Sequence, residues 1–306
     1  MILVAGGTGH LGKELVPLLL GHGQVVRVLT RDPGRARAML GEEVEFVIGD
    51  VRDPVSLPAA LEGVDAVVSA VTGFGPGGAG PRSVDRDGNV NLIQAAERAE
   101  VGQFVLLSMV GAAADHPMEL LRMKHQAEEA LKSSRIGWAI VRPTVFMELW
   151  AGIVGDPILK TGKAVIFGQG DNPVNFISVG DLARFVELAL KASEHSGQVI
   201  EVGGPENVTF NQLAEAIQAA SGRKAAVRHV PLPLMRLAAK LLQPFRPDLA
   251  GMIQAGVLTD TRDMTFDSTG LGRLYPEIEL THLKEVVRRN FRAEPAPPKE
   301  VEGARR

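Results

Sequence analysis

The 306-residue sequence has no cysteine, a single tyrosine and only two tryptophans. Without cysteine the chain can form no disulfide framework, no thiolate nucleophile and no Cys-ligated zinc or iron–sulfur site. Its seven histidines are scattered without close spacing, so no metal site is predicted. Its apolar runs are interrupted by polar residues or proline well before the roughly 20 residues that a membrane-spanning helix requires.

The chain also lacks a charge imbalance. The formal net charge is -3 and basic residues are interspersed with acidic ones, so no broad basic surface for nucleic acid is expected. The first residues lack the basic leader and the longer apolar stretch of a secretory signal, and a cytoplasmic location is therefore the expectation. With 45% apolar residues, the chain can bury a large core.

In the first half of the chain, short β-branched runs alternate with helical patterns. The predicted strands are Ile2–Ala5, Val25–Thr30, Val44–Ile48, Ala66–Ala70, Phe104–Ser108 and Trp138–Val141. The predicted helices are Leu11–Leu20, Arg35–Leu40, Val55–Leu61, Val84–Ala99 and Glu119–Lys132. This order is typical of right-handed βαβ units, and it predicts an α/β fold with a Rossmann-type doubly wound parallel sheet.

After Pro143 the alternation becomes less regular. We predict an NAD(P)-binding Rossmann domain over 1–145, a smaller and partly interleaved C-terminal substrate lobe over 146–291, and a disordered tail over 292–306. Asp181 is predicted to cap a helix that runs to Leu190, and Thr209 with Gln212 forms a capping-box pattern. Val199–Val202 reads as a strand, and some elements of this lobe are expected to return to the main sheet.

A basic, apolar stretch at Met235–Leu242 has two interpretations. It is either an amphipathic lid helix, which is the more common case, or a segment that touches a membrane surface.

A glycine-rich loop directly follows the first predicted strand and opens the first helix. In this context the loop is expected to hold the pyrophosphate of a dinucleotide, through Gly6, Thr8, Gly9, His10, Leu11 and Gly12. Residues 7–13 also match most of a phosphate-loop pattern. Glu14 stands where that loop needs a hydroxyl for magnesium, so ATP hydrolysis is not expected.

The residue after the second strand bears on the choice of cofactor. NAD-binding chains usually place an acidic residue there, whereas this chain has Arg31. A guanidinium can fork onto a 2′-phosphate, so NADP(H) is favoured. Asp32 follows and can serve a ribose hydroxyl, which leaves NAD(H) as the alternative.

The chain resembles the atypical short-chain dehydrogenase/reductases of the NmrA-like branch, which includes isoflavone-reductase-like enzymes, bacterial quinone reductases and a complex I accessory subunit. The resemblance rests on the glycine loop, Gly49-Asp50-Val51, Gly88–Ala96 and the run from Lys124 through Arg142-Pro143-Thr144. It implies that Asp50 and Val51 contact the adenine. It also implies that Ala70, Val71 and Thr72 line the path of the cofactor, and that Pro143 to Phe146 lie near the nicotinamide.

The proton relay of the wider superfamily is missing. Its Tyr-dependent members place a tyrosine four residues before a lysine, and here Leu120 stands four before Lys124. The resemblance implies that Lys124 binds the nicotinamide ribose and assists catalysis, and the alternative is a solvated helix lysine. The glycine-rich run 72–80 is either a flap over the nicotinamide or a flexible connection.

Three functions remain open. The first is an NAD(P)H-dependent oxidoreductase acting on a small hydrophobic acceptor such as a quinone, with Phe146, Met147 and Trp150 shaping the pocket. The second is a non-enzymatic NADP-binding redox sensor with a protein partner. The third is a subunit or assembly factor of a membrane complex.

Overall fold

The computed structural model describes residues 1–75, 77–191 and 196–291. Its strands are β1 (Ile2–Ala5), β2 (Val26–Thr30), β3 (Glu45–Ile48), β4 (Ala66–Ser69), β5 (Gln103–Leu107), β6 (Gly137–Pro143), β7 (Val145–Phe146), β8 (Lys163–Phe167), β9 (Val174–Ile177), β10 (Gln198–Val202), β11 (Asn207–Val208) and β12 (Ala226–Val230). The predicted tail over 292–306 lies outside the described residues.

The α-helices are α1 (His10–Gly21), α2 (Pro33–Leu40), α3 (Leu57–Leu61), α4 (Asn89–Arg98), α5 (Glu119–Lys132), α6 (Met147–Thr161), α7 (Val179–Ala189), α8 (Phe210–Ser221), α9 (Leu232–Leu242), α10 (Pro247–Thr261), α11 (Leu271–Leu274) and α12 (Leu283–Phe291). A 3₁₀ turn covers Pro54–Ser56 and a π-helical segment covers Arg82–Gly88. The helix predicted over Val84–Ala99 is therefore present, but its first part is wound more widely, as a π-helix, before α4 begins.

The main sheet has seven parallel strands in the order β10-β6-β5-β4-β1-β2-β3. In its centre Val4 lies between Val28 and Val68. Helices α1 and α7 cover one face, and α3, α4 and α5 cover the other, so the strands are buried on both sides. This arrangement confirms the predicted doubly wound α/β fold.

A third core belongs to the second half of the chain. It joins α6, α8 and α12 to the strands β8 and β9 through residues such as Val154, Ile166, Phe176, Ile217 and Val287. Two elements of this half nevertheless pack with the first half. Helix α7 packs against α1 on one face of the main sheet, and β10 extends that sheet beside β6. The division at residue 145 stays a prediction.

Strand β10 is held to the sheet by an ion pair as well as by backbone hydrogen bonds to β6. Arg142 on β6 binds Glu128 of α5 at 2.6 Å and Glu201 of β10 at 3.1 Å. These carboxylates, Glu128 first, raise the pKa of the Arg142 guanidinium above its usual value. One cation therefore links a helix, an inner strand and the edge strand.

The two predicted helix caps have different outcomes. Thr209 and Gln212 form the expected capping box at the start of α8. The cap at Asp181 is wrong, because α7 begins two residues earlier at Val179 with Ser178 in the cap position. The Asp181 carboxylate instead accepts hydrogen bonds from the backbone and hydroxyl of Thr281 at 2.6 and 2.8 Å.

Candidate functional site

The candidate site lies where the strand order of the main sheet reverses. From β1 the chain proceeds to β2 and β3 on one side and then returns to β4 on the other. In open α/β sheets, ligands bind in the crevice beyond the carboxyl ends of the strands at such a point. Here that crevice is bounded by the glycine loop after β1 and by Ala70, Val71 and Thr72 after β4.

The glycine loop is packed too closely for side chains at two positions. A Cβ on Gly6 would lie 2.7 Å from the carbonyl oxygen of Ala70, and the φ of Gly6 is +91°. A Cβ on Gly12 would lie 2.2 Å from the carbonyl oxygen of Gly7. The backbone of the loop is therefore pressed against both its own helix and the end of β4, as a dinucleotide cradle requires.

The first turn of α1 offers its N–H groups to a ligand. Gly9 occupies the cap position, no side chain caps the helix, and no acidic residue stands in the first turn. Gly9 and His10 are exposed, Thr8 is half-buried and Leu11 is buried. A helix start of this kind carries about half a positive charge and suits a pyrophosphate.

A cluster of two guanidiniums and one carboxylate lies beyond β2 and β3. We call Arg31, Asp50 and Arg52 the open cluster. Arg52 forks onto Asp50 with its Nε 3.0 Å from Oδ1 and its Nη2 2.5 Å from Oδ2, whereas Arg31 Nη1 lies 4.0 Å from Oδ2. The side chain of Arg31 is 73% exposed. The hydrogen bonds from Arg52 hold the pKa of Asp50 below its usual value.

Arg52 was not among the residues predicted for the site. Its signal was the short spacing Asp50-Val51-Arg52 directly after a strand, where an acidic side chain can accept a fork from a residue two positions on. Asp32 is the residue that left NAD(H) as the alternative cofactor. Its Oδ1 accepts a hydrogen bond from the backbone N–H of Arg35 at 2.9 Å, so Asp32 caps α2.

Val51 connects this cluster to the π-helical segment. A Cβ on Gly88 would lie 2.6 Å from Val51 Cγ2, and Asn91 Nδ2 donates to the Val51 carbonyl oxygen at 3.0 Å. Val51 is buried at 6% exposure, and its contact with the adenine stays a prediction.

A buried ion pair lies at the other side of the crevice. We call Lys124 and Asp85 the buried pair, since they are 6% and 0% exposed. Lys124 Nζ donates to the carbonyl oxygens of Leu107 at 3.0 Å and Val71 at 3.2 Å. Asp85 Oδ1 lies 3.1 Å from the same ammonium, at an angle that makes it an ion-pair contact and not a hydrogen bond. The lysine thus ties together the ends of β4 and β5, and a solvated helix lysine is excluded.

Asp85 also fixes the glycine-rich run 72–80, for which the structure describes 72–75 and 77–80. Its Oδ2 accepts the backbone N–H of Gly73 at 2.8 Å. Further along, Gly77 N donates to Asp248 Oδ2 of α10 at 3.2 Å, and Gly80 N donates to the Gly73 carbonyl at 3.1 Å. The run is therefore held at Gly73 by Asp85 and at Gly77 by α10.

The segment from Pro143 to Phe146 runs from the last residue of β6 through β7 and passes beside Asn175. Asn175 is fully buried and accepts a hydrogen bond from Thr144 Oγ1 at 3.0 Å and from Gly204 N at 2.8 Å. Its Nδ2 donates to the carbonyl oxygen of Gly204 at 3.1 Å and to Asn207 Oδ1 at 3.0 Å. This residue, which the sequence analysis did not single out, joins three separate stretches of chain. Pro143 is buried and Phe146 is half-buried.

Of the residues predicted to shape the acceptor pocket, Met147 needs correction, whereas the role of Trp150 stays a prediction. Met147 is 1% exposed and packs in the third core, so it does not line an open pocket. Trp150 packs on Phe210 with ring centroids 4.8 Å apart, within the same lobe. Tyr275 packs edge-on against Phe185 on the α1 and α7 face of the sheet, opposite the face that carries α5. The tyrosine is therefore separated from Lys124 by the sheet.

Together, the doubly wound sheet, the glycine cradle and the uncapped helix start define a dinucleotide-binding Rossmann protein. A family described as NAD(P)H-binding matches residues 6–193, and the chain belongs to that family. This agrees with the resemblance to the NmrA-like branch drawn from the sequence.

Individual relatives differ in what their names describe. The chain is 34% identical over 234 residues to an NAD(P)H azoreductase of Xenophilus azovorans, covering 76% of this chain and 78% of that one. It is 28% identical to the photosystem II assembly factor Ycf39 of a Synechocystis strain, covering 77% and 72%. An NADPH-dependent quinone oxidoreductase of Escherichia coli, solved with NADPH, shares the fold at a TM-score of 0.75 and 24% identity, covering 94% and 99%.

Among residues 1–75, 77–191 and 196–291, no helix has the length and apolar character needed to cross a membrane.

Proposed function

We propose that the protein is an NADPH-dependent reductase that acts on a small hydrophobic acceptor such as a quinone or an azo compound. The bound cofactor supplies the hydride. The chain holds the dinucleotide on the Gly6–Gly12 loop, recognises the 2′-phosphate with Arg31, and presents Phe146 beside the nicotinamide. The names of the azoreductase and quinone oxidoreductase relatives support this class of reaction.

The observation that carries the proposal is the buried pair without a phenol beside it. Leu120 is buried one helical turn before Lys124, where Tyr-dependent relatives carry their proton donor. A site of this kind suits an acceptor whose reduced form can take its proton from water. It does not suit simple alcohol oxidation or Tyr-dependent epimerisation.

The role proposed for Lys124 is to bind the nicotinamide ribose and to keep a positive charge near the reacting carbon. Its ammonium donates hydrogen bonds to the carbonyl oxygens of Val71 and Leu107 and pairs with Asp85 without a hydrogen bond, so the third of its N–H groups is left to bind a ribose hydroxyl. Asp85 is a positioning residue in this scheme, because it acts through Lys124 and through Gly73.

The test uses the purified full-length chain. Titration with NADPH and NADH, followed by fluorescence, measures cofactor binding, and a panel of quinones and azo dyes added to the same sample measures oxidation of the cofactor. We expect tighter binding of NADPH and its consumption with at least one acceptor. Tight binding without turnover would contradict the reductase.

A companion experiment separates the two roles of Lys124. Lys124→Met is expected to lower kcat and to raise the KM for NADPH, whereas Asp85→Asn keeps the ammonium and should act mainly on kcat. If both variants lose only thermal stability and retain both kinetic constants, the catalytic role of Lys124 is wrong.

The second candidate is a non-enzymatic NADP-binding sensor or assembly protein. It draws on the missing phenol and on the likeness to the Ycf39 assembly factor. Cofactor binding without turnover, in the titration described above, is the result that this candidate requires.

A further inference from the structure

Helix α9 has two apolar faces, of which only one is used in packing. Its inner face carries Met235 and Ala239, both buried, and Met235 reaches α10 beside Gly256. Its outer face carries Leu234, Leu237 and Leu241, which are 56%, 54% and 63% exposed. Their spacing of three and four places these leucines in one stripe. Phe245, just beyond the helix, is 81% exposed.

The same stretch has a strongly one-sided charge. Residues 216–247 contain no aspartate or glutamate, yet they contain Arg223, Lys224, Arg228, Arg236, Lys240 and Arg246. Arg236 and Lys240 are exposed beside the leucine stripe, and within 1–75, 77–191 and 196–291 neither has a carboxylate at ion-pair distance. A segment with a surplus of cations stands out in a chain whose net charge is -3.

We propose that the outer face of α9 docks on an anionic lipid surface. An apolar stripe flanked by Lys and Arg is the pattern of a helix that lies in the plane of a membrane interface. The leucines and Phe245 would enter the boundary of the acyl chains, and the cations would meet anionic headgroups. A second copy of this chain fits less well, because two such faces in a symmetric dimer would bring like charges together.

The helix pair α9 and α10, which carries this face, is attached to the rim of the crevice. Asp248 at the start of α10 holds Gly77 of the glycine-rich run, whose other end is held by Asp85. Docking would therefore bring the mouth of the crevice close to the lipid. The benefit to a hydrophobic acceptor dissolved in the bilayer rests on the proposed function, whereas the docking itself does not.

The test is sedimentation of the full-length protein with vesicles, in the absence of cofactor and acceptor. Vesicles of two parts phosphatidylcholine to one part phosphatidylglycerol are compared with vesicles of phosphatidylcholine alone, at low and high salt. We expect binding to the mixed vesicles, weakened by salt and by the removal of phosphatidylglycerol. A result that leaves the protein in the supernatant with both vesicles overturns the proposal, whether or not the protein turns over NADPH.

A matched pair of variants locates the face. Arg236→Gln with Leu237→Ser removes one exposed cation and one exposed leucine from α9, and should weaken binding at least about tenfold. Arg273→Gln with Leu274→Ser makes the same changes on α11, where Leu274 is 71% exposed, and should bind as the unaltered protein does. Equal losses in both variants overturn the assignment to α9.

Light scattering tests the remaining alternative, a contact between two copies of the chain. If the unaltered protein forms dimers that the α9 variant abolishes, and neither form binds vesicles, the face is a contact between copies and the lipid proposal is wrong. Both variants change exposed side chains, so their thermal unfolding should match that of the unaltered protein.

Discussion

The buried pair and the open cluster both lie at the carboxyl ends of the strands of the main sheet, and each combines basic side chains with a carboxylate. In the buried pair, Lys124 and Asp85 are shielded from water and bound to the ends of two strands. In the open cluster, Arg31 is 73% exposed and stands 4.0 Å from its carboxylate. Burial makes the loss of one partner costly, whereas exposure leaves a guanidinium free to turn toward an incoming phosphate. The buried charges thus hold the structure together, whereas the exposed guanidinium is accessible to a ligand.

The largest effect is expected in the buried pair. Lys124→Met leaves the fully buried Asp85 without its cation and should cost about 3–5 kcal/mol of unfolding free energy. Lys132→Met removes a partly exposed cation of the same helix and should cost less than about 1 kcal/mol. Urea unfolding of both variants measures the difference. Similar losses in the two would mean that burial does not distinguish these lysines.

A second variant tests how much the close packing of the glycine loop contributes to the free energy of unfolding. Gly6→Ala places a Cβ against the Ala70 carbonyl at a φ of +91°, and should cost about 3 kcal/mol. Gly23→Ala has a similar φ of +75° but nothing within 4 Å, so it should cost only about 1 kcal/mol. Thermal unfolding compares the two, and equal costs would show that the close approach to β4 contributes nothing.

A substitution of Arg31 in the open cluster should change the affinity for the cofactor and leave the free energy of unfolding unchanged. Arg31→Ala removes the guanidinium that we propose to bind the 2′-phosphate, and should weaken NADPH binding about ten- to a hundredfold while leaving NADH binding unchanged. Arg98→Ala, an exposed cation at the end of α4, serves as the control. Fluorescence titration with both dinucleotides gives the result. Parallel losses for NADPH and NADH would remove Arg31 from the specificity of the site.

The smallest effect belongs to Arg52, which holds the Asp50 pKa down. A carboxylate with a lowered folded-state pKa contributes stability above its unfolded value, about pH 4, and loses that stability as the pH falls through the folded value. Arg52→Gln should therefore raise the Asp50 pKa and flatten the acid limb of the stability curve. The cost at neutral pH should be below about 1 kcal/mol. An NMR titration of the Asp50 carboxyl checks the pKa, and an unchanged value would contradict the assignment to Arg52.

The fold and half of the site were predictable because their signals are local. The alternation of strands and helices, the loop from Gly6 to Gly12 and the position of Arg31 can all be read within a few neighbouring residues. The partner of Lys124 could not be predicted in this way, because Asp85 comes from a separate segment that meets α5 only through the packing of the sheet. The same holds for Asn175, whose partners follow β6 and β10. The misplaced cap at Asp181 has a local cause, since Ser178, three residues earlier in the same run, is an equally good cap by residue type.

Strand β10 has a consequence for how this chain is made. It pairs with β6, yet α6, β8, β9 and α7 are all synthesised between the two. Until Val202 has left the ribosome, β6 remains an unpaired edge, and Arg142 lacks one of its two carboxylates. An unpaired edge strand is a template for wrong association. The β6 edge is therefore covered only by residues from the second half of the chain, and β10 then becomes the outer strand on that side of the sheet.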